Sequence, residues 1–186
     1  MSGVNIAVFC SSRDLIPQEY KHSASTLGAW IGSNHNTLIY GGIAAGMMEI
    51  TATATKEAGG KVTGIVPSSR KERQSKCLDE VVYVDSLHER KKVMEEKSDI
   101  FIVLAGGFGT LDELMSIWTS TAFYGVQGKH ILIDNTAGLY TPMLSQLNLM
   151  VEQNLLNKNV LEKLEFYENI DELIHRLNLL QQYEKE

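Results

Sequence analysis

Two kinds of apolar run alternate along this chain of 186 residues. One kind is short, continuous and rich in β-branched residues; the other is longer, with apolar positions three and four apart. Short runs fall at residues 4–10, 37–40, 61–66, 81–84, 100–104 and 129–134, lengths that suit strands buried on both faces of a parallel sheet. Helical spacing runs through residues 17–34, where Tyr20, Ala24, Leu27 and Ile31 share a stripe, and through 44–58, which Gly59-Gly60 brings to a stop. It returns after Ser86, over Leu111 to Ala122, over 142–156, and over 170–180 with Leu173, Ile174, Leu177 and Leu180 on one face. Ser86-Leu87-His88-Glu89 has the form of a capping box. Residues 164–167 read as a short apolar stretch. Residues 67–76 are polar and without period, so they read as a loop near the strand ends, either a lid or a solvated connection. Strand and helix in alternation predict an α/β chain: a Rossmann-like, doubly wound parallel sheet flanked by helices, with residues 1–186 as one domain.

Composition narrows the partners. Hydrophobic residues make up 44 % of the chain and charged residues 22 %, enough for one well-filled core. A formal net charge of -6 argues against a nucleic-acid polymer, whose binding depends on clustered cations, but leaves room for a small anion held by a few local donors. No basic segment precedes an apolar N-terminal run and no run is long enough to cross a bilayer, so the expectation is a cytoplasmic protein with no membrane partner. Cys10 and Cys77 lack paired spacing, and the five histidines lie far apart. Neither a disulfide framework nor a metal is expected.

Candidate chemistry gathers where the fifth strand meets the next helix. Gly106, Gly107 and Gly109 put three glycines in four residues, so backbone amides there approach a ligand with no Cβ in the way. A helix start adds unpaired amide donors and partial positive charge, which together suit a phosphate. The same stretch also fits a plain tight turn, with Thr110-Leu111-Asp112-Glu113 as a capping box in which Glu113 ties back its own helix. Arg90 lies three residues after Leu87 and four before Met94, on the apolar stripe of its helix. An inward guanidinium needs an anion, either a ligand or an internal partner such as Glu113. Phosphate and Glu113 compete for one helix end unless the phosphate takes the amides of 106–110 and the carboxylate reaches past it to a sugar. Cys10 is either a reactive thiol or a small core residue, and Ser11 and Ser12 either donate to a ligand or cap the next element. Trp30, Met47 and Met48 read as core or subunit contacts, and His88 as solvent-facing. The small-residue loops at 10–12, 41–42 and 106–109 share the rim where doubly wound folds bind ligands.

The motifs AGGFGTLDE, Ala105 to Glu113, and LHERK, Leu87 to Lys91, resemble the PGGxGTxxE and HxRK segments of the LONELY GUY family, long mislabelled as lysine decarboxylases. The likeness runs from the VFCSS segment at the start to the sixth strand. It implies a Rossmann-like homodimer that hydrolyses the N-glycosidic bond of nucleoside 5'-monophosphates, cytokinin nucleotides or AMP, to free base and ribose 5-phosphate without a cofactor. By position, Arg90 and Glu113 match the catalytic pair, and Gly106, Gly107, Gly109 and Thr110 the phosphate loop, with Phe108 inside it. Lys91, Thr119 and Glu72 align with substrate contacts, and Ser11, Gly41 and Gly42 of the neighbouring rim loops complete the substrate-binding set.

Departures from the pattern are local. Ala105 stands where the family has proline, which loosens the turn. The family's YGGGxxGLMG becomes Tyr40 to Glu49, losing a glycine and gaining an acid, and Ser120-Thr121-Ala122 replaces Trp-Ala-Gln. A dinucleotide oxidoreductase would need a glycine fingerprint after the first strand, which Cys10-Ser11-Ser12-Arg13 does not supply. No lysine stands out as a Schiff-base site for pyridoxal phosphate. The alternative from another class is a nucleotide- or cofactor-binding module of the same superfamily that retains the loop without turnover.

Overall fold

The computed structural model describes residues 3–124 and 129–183. The chain runs β1 (Asn5–Phe9), α1 (Gln18–Ser33), β2 (Thr37–Tyr40), α2 (Gly46–Glu57), β3 (Lys61–Pro67), a 3-10 turn (Ser68–Arg73), β4 (Glu80–Val84), α3 (Leu87–Lys97), β5 (Ile100–Val103) and α4 (Phe108–Tyr124). It continues through β6 (His130–Asp134), a short 3-10 turn (Thr136–Gly138), α5 (Thr141–Glu152), α6 (Lys158–Leu161), β7 (Leu164–Tyr167) and α7 (Ile170–Tyr183).

All seven strands are parallel, in the order β4-β3-β2-β1-β5-β6-β7. Alternate residues of each strand feed different cores. Ile6, Val8 and Cys10 with Ile100, Ile102 and Leu104 pack beneath α1, α2 and α7, while Ala7 and Phe9 with Phe101 and Val103 pack beneath α3, α4 and α5. That two-faced burial is why the central strands carry no polar alternation. The doubly wound expectation therefore describes the fold. Helices α1 and α2 meet with their backbones close together: a Cβ on Gly32 would lie 2.4 Å from the Thr55 carbonyl oxygen.

Several elements differ from their sequence reading. Residues 164–167 form β7, which pairs with β6 at the sheet edge from Ile131↔Leu164 to Asp134↔Tyr167. An edge strand of four residues with Glu165 in it has no run long enough to announce itself. The loop at 67–76 contains the 3-10 turn, α2 begins at Gly46 rather than at 44, and the helix expected to 156 stops at Glu152. The later start of α2 has a local cause: the Gly46 amide donates to Asp14 Oδ1 at 2.8 Å, so the carboxylate occupies that helix end. The strand order reverses between β1 and β5, which opens a crevice beyond their carboxyl ends.

Candidate active site

A cleft of about 580 Å³ occupies that crevice. Its first wall is the turn after β5, held from two directions. Ser11 N–H donates to the Ala105 carbonyl at 3.0 Å, and the buried Tyr140 hydroxyl donates to the Leu104 carbonyl at 2.8 Å. These bonds pin the turn that Ala105 in place of proline was expected to loosen. Gly106 faces inward, where a Cβ would lie 2.0 Å from Thr110 Oγ1, whereas a Cβ on Gly107 or Gly109 would meet nothing within 4 Å. Gly107 and Gly109 line the cleft and leave open space where side chains would stand. Because α4 begins at Phe108, Thr110 lies inside the helix and cannot be its N-cap. Glu113 does not tie back its own helix; it points across the cleft floor.

Its partner there is Arg90. Nη2 of Arg90 stands 3.1 Å from Glu113 Oε1, with the side chains 13 % and 8 % exposed. The contact is charge against charge: neither Nε nor Nη2 has a hydrogen-bond acceptor among the described residues. A nearly buried guanidinium with donors unspent is costly unless something anionic or oxygen-rich joins it. Burial pushes the Glu113 carboxyl above the usual range, and the Arg90 charge opposes that rise. Gly41 makes room for the pair, since a Cβ there would lie 2.2 Å from Arg90 Nη2. Leu87, expected on the buried stripe with Met94, is 60 % exposed at the cleft edge, while Met94 is fully buried. Ser86 Oγ does cap α3 by accepting from Glu89 N–H, but Glu89 Oε2 reaches back to the Asp85 amide, one residue earlier than the box requires.

The expected residues divide clearly. Ser11, Arg90, Lys91, Gly107, Phe108, Gly109, Thr110 and Glu113 line the cleft together. Lys91 is held by both oxygens of Asp112 at 2.8 and 2.9 Å. Gly41 supports Arg90 from behind, and Gly42, at φ +71°, packs on Val66; neither lines the cleft. Thr119 and Glu72 are exposed and also lie outside it. The sequence reading did not single out Arg13, Ile43, Met48 and Arg70 as site residues, yet they line it. A cation in an aperiodic loop or an apolar residue after a glycine pair carries no signal until the loops converge. Cys10 is 3 % exposed at the edge of the cleft and belongs to the core beneath it, and burial with the nearby Glu113 charge pushes its thiol well above the ordinary range, which favours the core reading over the reactive thiol. Among the described residues no group of three or more His, Cys, Asp or Glu is placed to hold a metal ion, and no helix is long and apolar enough to cross a membrane.

Comparison with known proteins adds relatives of two kinds. Residues 48–177 match a family model described as possible lysine decarboxylase. A cytokinin riboside 5'-monophosphate phosphoribohydrolase of Mycobacterium marinum is 30 % identical over 171 residues, covering 91 % of this chain and 90 % of the relative. LOG3 of Arabidopsis thaliana, which carries the same enzyme name, is 33 % identical over 174 residues, 92 % of this chain and 80 % of its own. Among solved structures, a molybdenum cofactor binding protein of Rippkaea orientalis superposes with a TM-score of 0.71 at 22 % identity over 97 % of this chain and 98 % of that one. The molybdenum cofactor carrier protein of Chlamydomonas reinhardtii gives 0.75 at 17 % identity over 97 % and 99 %. At such identities the structural likeness establishes the shared fold.

Proposed function

The chain belongs to the LONELY GUY family, the group whose model is described as possible lysine decarboxylase, and from that premise we propose that it is a phosphoribohydrolase. It cleaves the N-glycosidic bond of nucleoside 5'-monophosphates, cytokinin riboside 5'-monophosphate and AMP among them, to free base and ribose 5-phosphate. The observation that carries this reading is the buried Arg90–Glu113 pair beside the cleft-lining glycines of the turn into α4. The 5'-phosphate rests on the amino end of α4, where amide donors and the helix dipole meet it. Beyond it, the bond between C1' and the base nitrogen breaks, the electron pair leaves with the base, and positive charge builds on the sugar. Glu113 stabilises that charge and takes a proton from the water that bonds to C1'; passing that proton on to the departing base nitrogen gives the free base and restores the carboxylate. Arg90 opposes the rise that burial causes in the Glu113 carboxyl, and offers its free donors to substrate oxygens.

The family description does not fit pyridoxal chemistry here. A Schiff-base lysine must offer a free, neutral amine, and Lys91, the lysine of the cleft, has its ammonium gripped by Asp112. A cytoplasmic homodimer belongs to the same proposal. One face of α4 carries Phe108, Thr119 and Phe123 at helical spacing; Phe108 is 90 % and Phe123 81 % exposed, which supports a second copy covering that face. The molybdenum cofactor proteins favour the other reading, a module that binds without turnover. Incubation with AMP and isopentenyladenosine monophosphate, followed by chromatography, separates the two. Free base should appear with the unmutated chain and fall at least about 100-fold with Glu113→Gln; binding without release would select the module.

A further inference from the structure

The loop after β6 carries more restraint than a connection between two elements needs. Asp134 Oδ1 accepts from the Thr136 N–H at 3.3 Å and from its hydroxyl at 2.7 Å. The Asn135 N–H donates to the Tyr167 carbonyl at 2.8 Å, and its carbonyl accepts from the Gly138 N–H at 2.8 Å. Its side chain is committed as well, Oδ1 accepting from the Tyr140 N–H at 2.7 Å and Nδ2 donating to Thr141 Oγ1 at 3.0 Å. Between these anchors Ala137 stands at φ +57°, a left-handed conformation unfavourable for an L side chain. Strain of that kind persists only where the surroundings over-determine it. What the loop delivers is Tyr140, 3 % exposed, whose hydroxyl donates to the Leu104 carbonyl at 2.8 Å.

Leu104 opens the turn between β5 and α4. Burial pushes the Tyr140 phenol above its ordinary range, and a hydrogen bond with the Gly106 backbone opposes that rise. One buried hydroxyl thus reaches the chain on both sides of Ala105. The Ala105 carbonyl accepts from the Ser11 N–H at 3.0 Å, while its own amide donates to no group among the described residues. A proline ring at this position would fix φ and sacrifice no hydrogen bond. With alanine there, the restraint comes from across the sheet.

We propose that Tyr140 is a positioning residue for the phosphate subsite, its hydroxyl holding the turn from which Gly107, Gly109 and the amino end of α4 meet the 5'-phosphate. This rests on the cleft being a nucleotide site. The phenol lies beneath the turn and outside the cleft lining, so it acts through the backbone and not on the substrate. Without the hydroxyl, the turn keeps the Ser11 bond and loses the one at Leu104. The phosphate is remote from the bond that breaks and is held alike before and during the reaction. Loosening its subsite therefore weakens binding and leaves the chemical step nearly untouched.

Tyr140→Phe tests this by keeping the ring and removing the hydroxyl. KM for AMP should rise roughly tenfold while kcat at saturation stays within about twofold, and calorimetry should show ribose 5-phosphate bound roughly tenfold more weakly. Tm should fall by only about 2–4 °C, the effect of one buried hydrogen bond in a chain of this size. Adding Ala105→Pro to Tyr140→Phe should recover most of the lost affinity, because the ring supplies the restraint covalently. The same fall in Tm with ribose 5-phosphate bound as tightly as before, or a loss confined to kcat, would overturn the assignment and leave Tyr140 a packing residue. Weakened ribose 5-phosphate binding in a chain that releases no free base would instead strike the hydrolase reading and leave the role of Tyr140 standing. Ribose 5-phosphate bound by neither chain would remove the phosphate site and this proposal with it.

Discussion

Glu113 works under two opposed influences, burial that favours its neutral form and Arg90 that favours the carboxylate. Because burial prevails, the acid limb of the kcat/KM profile should fall at a pH above that of an ordinary glutamate, and a pH–rate series on AMP measures it. The geometry of the pair depends on a residue that touches no substrate. Gly41→Ala would drive a methyl group into the space of Arg90 Nη2, and displacing a guanidinium by about 1 Å is expected to lower kcat 10- to 100-fold. Thermal denaturation of the same variant should show a much smaller change than the loss of rate, since the displaced group lies at the cleft and not in either core. Cys10→Ser, by contrast, tests packing, because its thiol is shut away beneath the site.

At the scale of elements, the sheet edge is held by one carboxylate. Glu165 on β7 accepts hydrogen bonds from the Tyr167 hydroxyl at 2.7 Å and Arg176 Nε on α7 at 2.8 Å, and contacts His130 Nδ1 of β6 at 3.2 Å. Burial pushes its carboxyl up, but the hydrogen bonds from His130, Arg176 and Tyr167 outweigh burial and hold it at about 2. A folded-state value below the unfolded one means stability that is fully present above about pH 4.5 and is lost as pH falls towards 2. Glu165→Gln should therefore cost about 2 kcal/mol at neutral pH, after allowance for partial solvent screening, and progressively less towards pH 2. Tm measured for both chains across that range checks the convergence. The edge otherwise has only four residues of β7 pairing with β6, so this cluster is where acid should loosen the fold first.

The whole molecule places its cleft at the strand-order reversal and leaves apolar surface next to it. Phe108 and Phe123 stand exposed on the face of α4 that also carries Thr119, and Leu87 is exposed across the cleft. Sedimentation velocity should give the mass of a dimer, and Phe123→Glu should shift it towards monomer at micromolar concentration by burying a charge in an apolar contact. A monomer in both chains would remove the homodimer from the proposal. The net charge of -6 sits around a cleft whose lining includes Arg13, Arg70, Arg90 and Lys91 against Asp112 and Glu113, so a local positive field serves an anionic ligand inside an acidic protein.

Much of this was legible in the order of residues alone. Buried strands announce themselves by unbroken β-branched runs, and the glycines at 106, 107 and 109 mark the turn into α4 whose Gly107 and Gly109 line the cleft. The kinship of AGGFGTLDE and LHERK likewise needed no coordinates. Periodicity, however, reports which side of an element is covered and not by what, so it put Leu87 on the stripe where only Met94 and the arginine belong. The strand at 164–167, the space Gly41 leaves for a guanidinium and the presence of Arg70 in the cleft came from pairing and convergence of segments distant in the chain. Those are decided when β1 takes β2 on one side and β5 on the other, a choice made by the packing of both faces at once and written in no single stretch.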